Sequence, residues 1–124
     1  LKKNNIKIAI ASSSPYNIIY KMLSINDIDS YFDVIVSGND VQAKKPSPDI
    51  YFETLKRLEL PSNDCIVIED SLVGIQAAIN AGLYVIAVKE NRFLVDQSQA
   101  DCIVNDLIEA WIQIAHIFDL SMLD

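Results

Sequence analysis

Basic clusters are the first thing missing from this chain of 124 residues. Ten Lys and Arg stand against seventeen Asp and Glu, a net charge of -7. Contacts along a nucleic-acid backbone need Lys and Arg in patches, and no basic block occurs here, which argues against sequence-independent nucleic-acid binding. A single lysine can still dominate a small anionic site. Cysteine is scarce as well. Cys65 and Cys102 each lie beside an apolar run and show no metal-ligand spacing, as expected of small residues in a reducing compartment; a disulfide between them stays open. No signal peptide is present, and no apolar stretch approaches the roughly 18 residues of a membrane span. A soluble, cytoplasmic protein with no membrane partner is therefore expected. Repeats, low-complexity tracts and an interdomain linker are absent too. So is an initiator methionine: Leu1-Lys2-Lys3-Asn4-Asn5 reads as the tail of a helix already under way, so a piece of a longer protein is expected.

What is present is a half-apolar sequence arranged as alternating strands and helices. Ile6–Ala11 reads as a first strand, followed by Ser12-Ser13-Ser14. Pro15 suits the opening of a helix with Ser14 as its cap, and Ile18, Ile19, Met22, Leu23 and Ile25 continue at helical spacing. Tyr31–Val36 reads as a second strand. Lys44-Lys45-Pro46-Ser47-Pro48-Asp49 follows, with Ser47 as cap and Pro48 opening a helix that carries Ile50, Tyr51, Leu55 and Leu58. The third strand, Ile66-Val67-Ile68, runs into Glu69 and Asp70. Ser71 caps the next helix, which ends at Gly82. Leu83–Val88 and Ala100–Val104 supply two more strands, and a final helix starts at about Asp106. His116 lies on that helix's polar stripe with Glu109 and Gln113, which reads as a structural or solvent-facing position.

Such alternation predicts βαβ units, and hence a parallel sheet with right-handed crossovers and helices on both faces. The carboxyl ends of parallel strands share one rim, where open α/β sheets bind ligands. Three polar clusters fall there. The serine turn places hydroxyls and backbone N–H groups at a helix N-terminus, an arrangement suited to an anion. The two prolines stiffen the segment that presents Lys45, which can grip a phosphoryl oxygen as a point charge. Glu69 and Asp70 are adjacent carboxylates, and a hard ion such as Mg2+ is their natural partner. Each cluster has a plainer reading: caps and turn formers, solvated lysines, and acids that merely suit a helix N-terminus. Their coincidence on one rim favours a site.

These motifs resemble the haloacid dehalogenase-like superfamily of phosphoryl-transfer enzymes, and within it the β-phosphoglucomutase-like and phosphoglycolate-phosphatase-like branch. Three of the family's four motifs stand in order, and the resemblance spans nearly the whole chain. Ile10-Ala11-Ser12-Ser13-Ser14 matches the strand whose terminal hydroxyl residue binds the phosphoryl group. Lys45-Pro46-Ser47-Pro48-Asp49 matches the motif whose lysine neutralises phosphate and nucleophile. Ile68-Glu69-Asp70-Ser71, continued by Gly74-Ile75-Gln76-Ala77-Ala78, matches the acidic motif that holds Mg2+. The resemblance implies a Rossmann-like core, Mg2+ as cofactor and a small phosphorylated metabolite such as a sugar phosphate as substrate. It implies hydrolase or mutase chemistry through an aspartyl-phosphate. Ser12 would bond the transferring phosphoryl group with help from the Ser13 backbone, and the turn onward through Ser14 to Tyr16 could meet a second phosphate. Lys45 would be the charge clamp, preferred over Lys44 because it precedes Pro46. Asp70 would ligate Mg2+ directly or through water, with Glu69 as a second ligand or as an acceptor beside it.

One motif is absent. The family's first strand ends in Asp-x-Asp, which supplies the nucleophile and the general acid/base. Asp27-Ile28-Asp29 shares the letters but follows a helix end rather than an apolar strand. The cap domain of this branch is absent too. Residues 1–124 are therefore expected to form the C-terminal part of such a core, incomplete in the middle because the nucleophile strand lies between the serine-motif and acidic-motif strands. That gap could be closed by direct pairing, filled by a strand from another copy, or occupied by the missing N-terminal segment of a cleaved protein. The isolated chain is expected to be inactive, and a catalytically dead association module is the alternative. A receiver-like signalling domain is a remote one, since its acidic pair precedes its Lys-Pro, the reverse of the order here.

Overall fold

The computed structural model describes residues 6–92 and 94–118. In chain order they form β1 (Ala9–Ser12), α1 (Tyr16–Ile25), β2 (Val34–Ser37), α2 (Asp49–Leu58), β3 (Ile66–Glu69), α3 (Leu72–Asn80), β4 (Tyr84–Val88), β5 (Cys102–Val104) and α4 (Leu107–Ile117). Every strand pairing is parallel. β1 and β2 run from Ala9 opposite Val34 to Ser12 opposite Ser37. β4 lies between β3 and β5.

The alternation of side chains along β4 sorts the two faces. Val85 and Ala87 join a core with Val36, Ile50 and Tyr51 of the β2–α2 unit and Ile75 and Ala78 of α3. Ile86 points the other way and packs with Val104, Ala110 and Ile114, so α4 covers the opposite face. A strand buried on both faces has no polar positions to alternate, which is why these runs read as continuously apolar. The α/β fold with parallel strands and helices on both faces is as expected.

The sheet is interrupted in the middle. Among the described residues β1 pairs only with β2, and β3 only with β4, giving two separate sheets. A cavity of about 1040 Å³ lies between β1 and β3, lined by Ile8, Ile10, Ile66 and Ile68 among others. Direct pairing across the gap, one of the three expected outcomes, does not occur.

Element boundaries and caps shift by one to three residues. β1 begins at Ala9 and takes in Ser12, and Tyr31 falls in a 3-10 turn (Asp29–Tyr31) ahead of β2. Ser14 does not cap α1: Pro15 holds the cap position with an extended ψ of 157° and offers no side-chain bond. Only Ile19 and Leu23 of the apolar positions predicted in α1 are buried, while Ile18, Met22 and Ile25 stay exposed. Pro48 likewise takes the cap position that Ser47 was expected to hold, although Ser47 Oγ accepts from the Asp49 N–H at 3.3 Å. Ser71 does cap α3, accepting from Gly74 N at 3.1 Å. Gly82 follows that helix at φ +75°, a left-handed turn that suits glycine. Both cysteines are free and half-buried, and His116 is exposed.

Candidate functional site

Lys45 ties the two sheets together. Its side chain is 9% exposed, and its Nζ donates to the Ala11 carbonyl at 3.1 Å and to Glu69 Oε2 at 2.6 Å. Ala11 belongs to β1 and Glu69 ends β3, so one ammonium bridges the gap at the carboxyl ends of both strands. Lys44, by contrast, is exposed. Pro46, next in the chain, has its carbonyl held by Asn80 Nδ2 at 3.1 Å, which fastens this loop to the end of α3.

Glu69 has a second partner that sequence reasoning missed. The Tyr51 hydroxyl donates to the same Oε2 at 2.6 Å, and Lys45 Nζ lies 5.2 Å from the centre of the Tyr51 ring. Tyr51 falls at an apolar position of α2, and helical periodicity counts it simply as core. The usable signal was its hydroxyl, because a buried tyrosine needs a hydrogen-bond partner. Burial, followed by the Glu69 charge and hydrogen bond, pushes the Tyr51 phenol well above its ordinary range. It therefore stays protonated and can only donate to the carboxylate. Tyr51→Phe removes a bond to a charged group and should cost about 2 kcal/mol. Urea unfolding of the variant beside the parent protein measures that loss; an unchanged midpoint would mean that the bond contributes nothing.

Behind Glu69 stands Gly74 of α3. A Cβ there would lie 2.1–2.2 Å from the Glu69 carboxylate atoms. The carboxylate thus fills the space that glycine leaves open, between Lys45 and Tyr51, with the Ser71 hydroxyl 3.5 Å from Oε1. Glu69 has its charge answered inside the protein. Asp70, one residue on, is exposed at the rim.

The serine turn is held by its neighbours. Ser12 Oγ accepts from Ser14 N at 3.1 Å. Buried Ser37, at the end of β2, donates from Oγ to the Ser14 carbonyl at 2.7 Å and accepts from Asn39 N at 3.1 Å. Gly38 passes so near that a Cβ on it would lie 2.7 Å from the Ser13 carbonyl oxygen. Beside this turn the Tyr16 hydroxyl bonds Asp40, and Arg57 reaches Asp40 at 3.3 Å and the Ile35 carbonyl at 3.1 Å. Hydrogen bonds from Tyr16 first and from the Ser37 N–H next, with the Arg57 charge after them, hold the Asp40 carboxyl below its usual range.

Ser12, Ser13, Lys45, Glu69 and Asp70 all line the cavity between β1 and β3; Ser14 does not. Among the described residues no group of three or more His, Cys, Asp or Glu gathers as a metal cage. Among the described residues the adjacent acids at this rim are Glu69 and Asp70, and one or two carboxylates suit Mg2+, which keeps waters and takes substrate phosphate oxygens for the rest of its shell.

Fold and rim together define an α/β protein of parallel strands, with hydroxyl, ammonium and carboxylate groups gathered at the strand ends. Residues 1–88 match the family model described as haloacid dehalogenase-like hydrolase, and the chain belongs to that family. It is 40% identical over 83 residues to a phosphorylated carbohydrates phosphatase of Thermotoga maritima, an overlap of 67% of this chain and 38% of that protein. It superposes on β-phosphoglucomutase from Clostridium difficile with a TM-score of 0.82 at 28% identity, covering 95% of this chain and 51% of the other. CbbY from Rhodobacter sphaeroides, solved with xylulose-1,5-bisphosphate, gives a TM-score of 0.77 at 31% identity, covering 87% and 50%. The chain therefore spans about half the length of these solved relatives, and its branch of the family is the one that takes in β-phosphoglucomutase-like and phosphoglycolate-phosphatase-like proteins. Enzymes of the superfamily generally use Mg2+. No helix among the described residues is long and apolar enough to cross a membrane.

Proposed function

We propose that residues 1–124 are the C-terminal part of the core of a cytoplasmic, Mg2+-dependent phosphoryl-transfer enzyme acting on a small phosphorylated metabolite such as a sugar phosphate. The observation that carries this reading is Lys45, whose Nζ joins Ala11 O to Glu69 Oε2 beside Ser12 and Asp70. The names of the relatives agree with it: one is a phosphatase of phosphorylated carbohydrates and another was solved with a sugar bisphosphate. On this reading the cavity between β1 and β3 takes the strand that bears the nucleophile, and a cap domain precedes the chain.

Each residue then has a task. Ser12 donates its hydroxyl to the transferring phosphoryl group, and the Ser13 N–H adds a second donor. Lys45 offsets the negative charge that would otherwise keep a carboxylate nucleophile away from a phosphate dianion. Glu69 and Tyr51 keep that ammonium aimed. Asp70, with Glu69 as the acid beside it, holds Mg2+. Held there, Mg2+ would supply a Lewis acid for the phosphoryl oxygens. Whether water or a sugar hydroxyl accepts the phosphoryl group separates phosphatase from mutase, a choice made by groups beyond these residues.

Phosphate release from a panel of sugar phosphates tests the proposal. The full-length protein should turn over with Mg2+, and residues 1–124 alone should give no rate above background. Mg2+-dependent hydrolysis by residues 1–124 that disappears in Lys45→Ala would overturn the claim that the nucleophile lies outside them.

A further inference from the structure

The loop between β4 and β5 carries a contact that none of the motifs includes. Gln97, half-buried and 27 residues from Asp70 in the chain, donates from Nε2 to the Asp70 carbonyl at 2.8 Å and to the Val88 carbonyl at 2.8 Å. One amide group therefore joins the carboxyl ends of β3 and β4 at the rim. The Asp70 acceptor lies one residue beyond β3, outside its ladder, whereas Val88 is the last residue of β4, in register with Val104 of β5. Asp70 is also the last residue before the Ser71 cap of α3. Its main chain is pinned from the helix side by that cap and from the sheet side by Gln97.

A side chain's direction follows from its backbone, and the Asp70 side chain is exposed at the rim. We propose that Gln97 is a positioning residue for the Mg2+ carboxylate of Asp70: its two bonds fix the Asp70 main chain and so pre-aim the side chain. The inference rests on the metal role proposed above for Asp70. It concerns affinity for the ion, because a ligand that must be ordered on binding binds more weakly than one ordered beforehand. Neighbours that orient a metal ligand typically contribute about 10–100-fold in affinity.

The test is Mg2+ titration of the full-length protein by calorimetry, with melting followed in the absence and presence of Mg2+. Gln97→Leu keeps bulk and removes the donor. Gln97→Glu keeps shape and turns an acid toward two carbonyls. Both should weaken Mg2+ binding about tenfold and shrink the rise in melting temperature that Mg2+ produces. The expected change in Mg2+-free melting is small, and if Gln97→Leu fails to fold, Gln97→Glu carries the test. A fall in Mg2+-free melting with unchanged Mg2+ affinity would show a purely structural contact and overturn the proposal. Asp70→Asn separates the two levels. If it abolishes Mg2+ binding while the Gln97 variants bind normally, only the positioning role fails; if it binds Mg2+ as before, the metal reading itself fails.

Discussion

Replacing Lys45 with methionine in the full-length protein should lower kcat about a thousandfold, the upper range for losing one preorganised group that answers transition-state charge. Methionine keeps much of the aliphatic stem over the Tyr51 ring, so the packing loss is small and the missing charge dominates. The same change leaves Glu69, whose side chain is 11% exposed, without its cation. A carboxylate left unpaired in such a place costs about 3 kcal/mol of stability. The two effects can be separated. Lys45→Met with Glu69→Gln removes the orphaned charge as well, so urea unfolding should recover most of the stability while phosphate release stays down. Recovery of both would show that Lys45 serves the fold and not the reaction. Loss of stability without loss of rate in the single variant would count against the proposed role as directly.

The parts of this arrangement differ in how far the sequence displays them. Lys45 is legible because it directly precedes Pro46 in a proline-stiffened polar segment after a strand, and Glu69-Asp70 because an apolar strand leads straight into two charges. Order along the chain then puts them on one rim. Their pairing was not legible: an acidic pair suggests two metal ligands, whereas Glu69 spends its charge on Lys45 and Tyr51, and Asp70 alone faces outward. Helical periodicity absorbs Tyr51 into the core, since the pattern records apolar surface and not what a hydroxyl reaches. Gln97 carries no local signal at all, because a glutamine in a polar loop looks alike whether it faces water or two carbonyls. The broken sheet is a third case. Strand periodicity finds β1 and β3 but says nothing about which strands are neighbours, and the missing Asp-x-Asp motif, not any apolar pattern, pointed to the gap. Cap positions moved because proline at the helix entrance sets the backbone angles itself, leaving the preceding serine to other partners.

Gly74 offers the second large effect, one that runs against ordinary propensity. Alanine is favoured over glycine inside a helix by about 1 kcal/mol, so Gly→Ala within α3 would normally stabilise the protein. Here the added methyl would meet the Glu69 carboxylate at 2.1–2.2 Å. The carboxylate ends a flexible side chain and could swing aside, but doing so breaks the 2.6 Å bonds to both Lys45 and Tyr51. Bonds to charged groups contribute about 1.5–3 kcal/mol each. Against the helix gain, Gly74→Ala should therefore destabilise by roughly 2–5 kcal/mol and, with Lys45 unmoored, lower kcat as well. Shortening the acid should relieve the crowding, so Gly74→Ala with Glu69→Ala should be no less stable than Glu69→Ala alone. That non-additivity, read from a double-mutant cycle in urea, is specific to the contact. If Gly74→Ala is as stable as the parent, Glu69 has another place to go, and the clamp on Lys45 is looser than the 2.6 Å contacts imply.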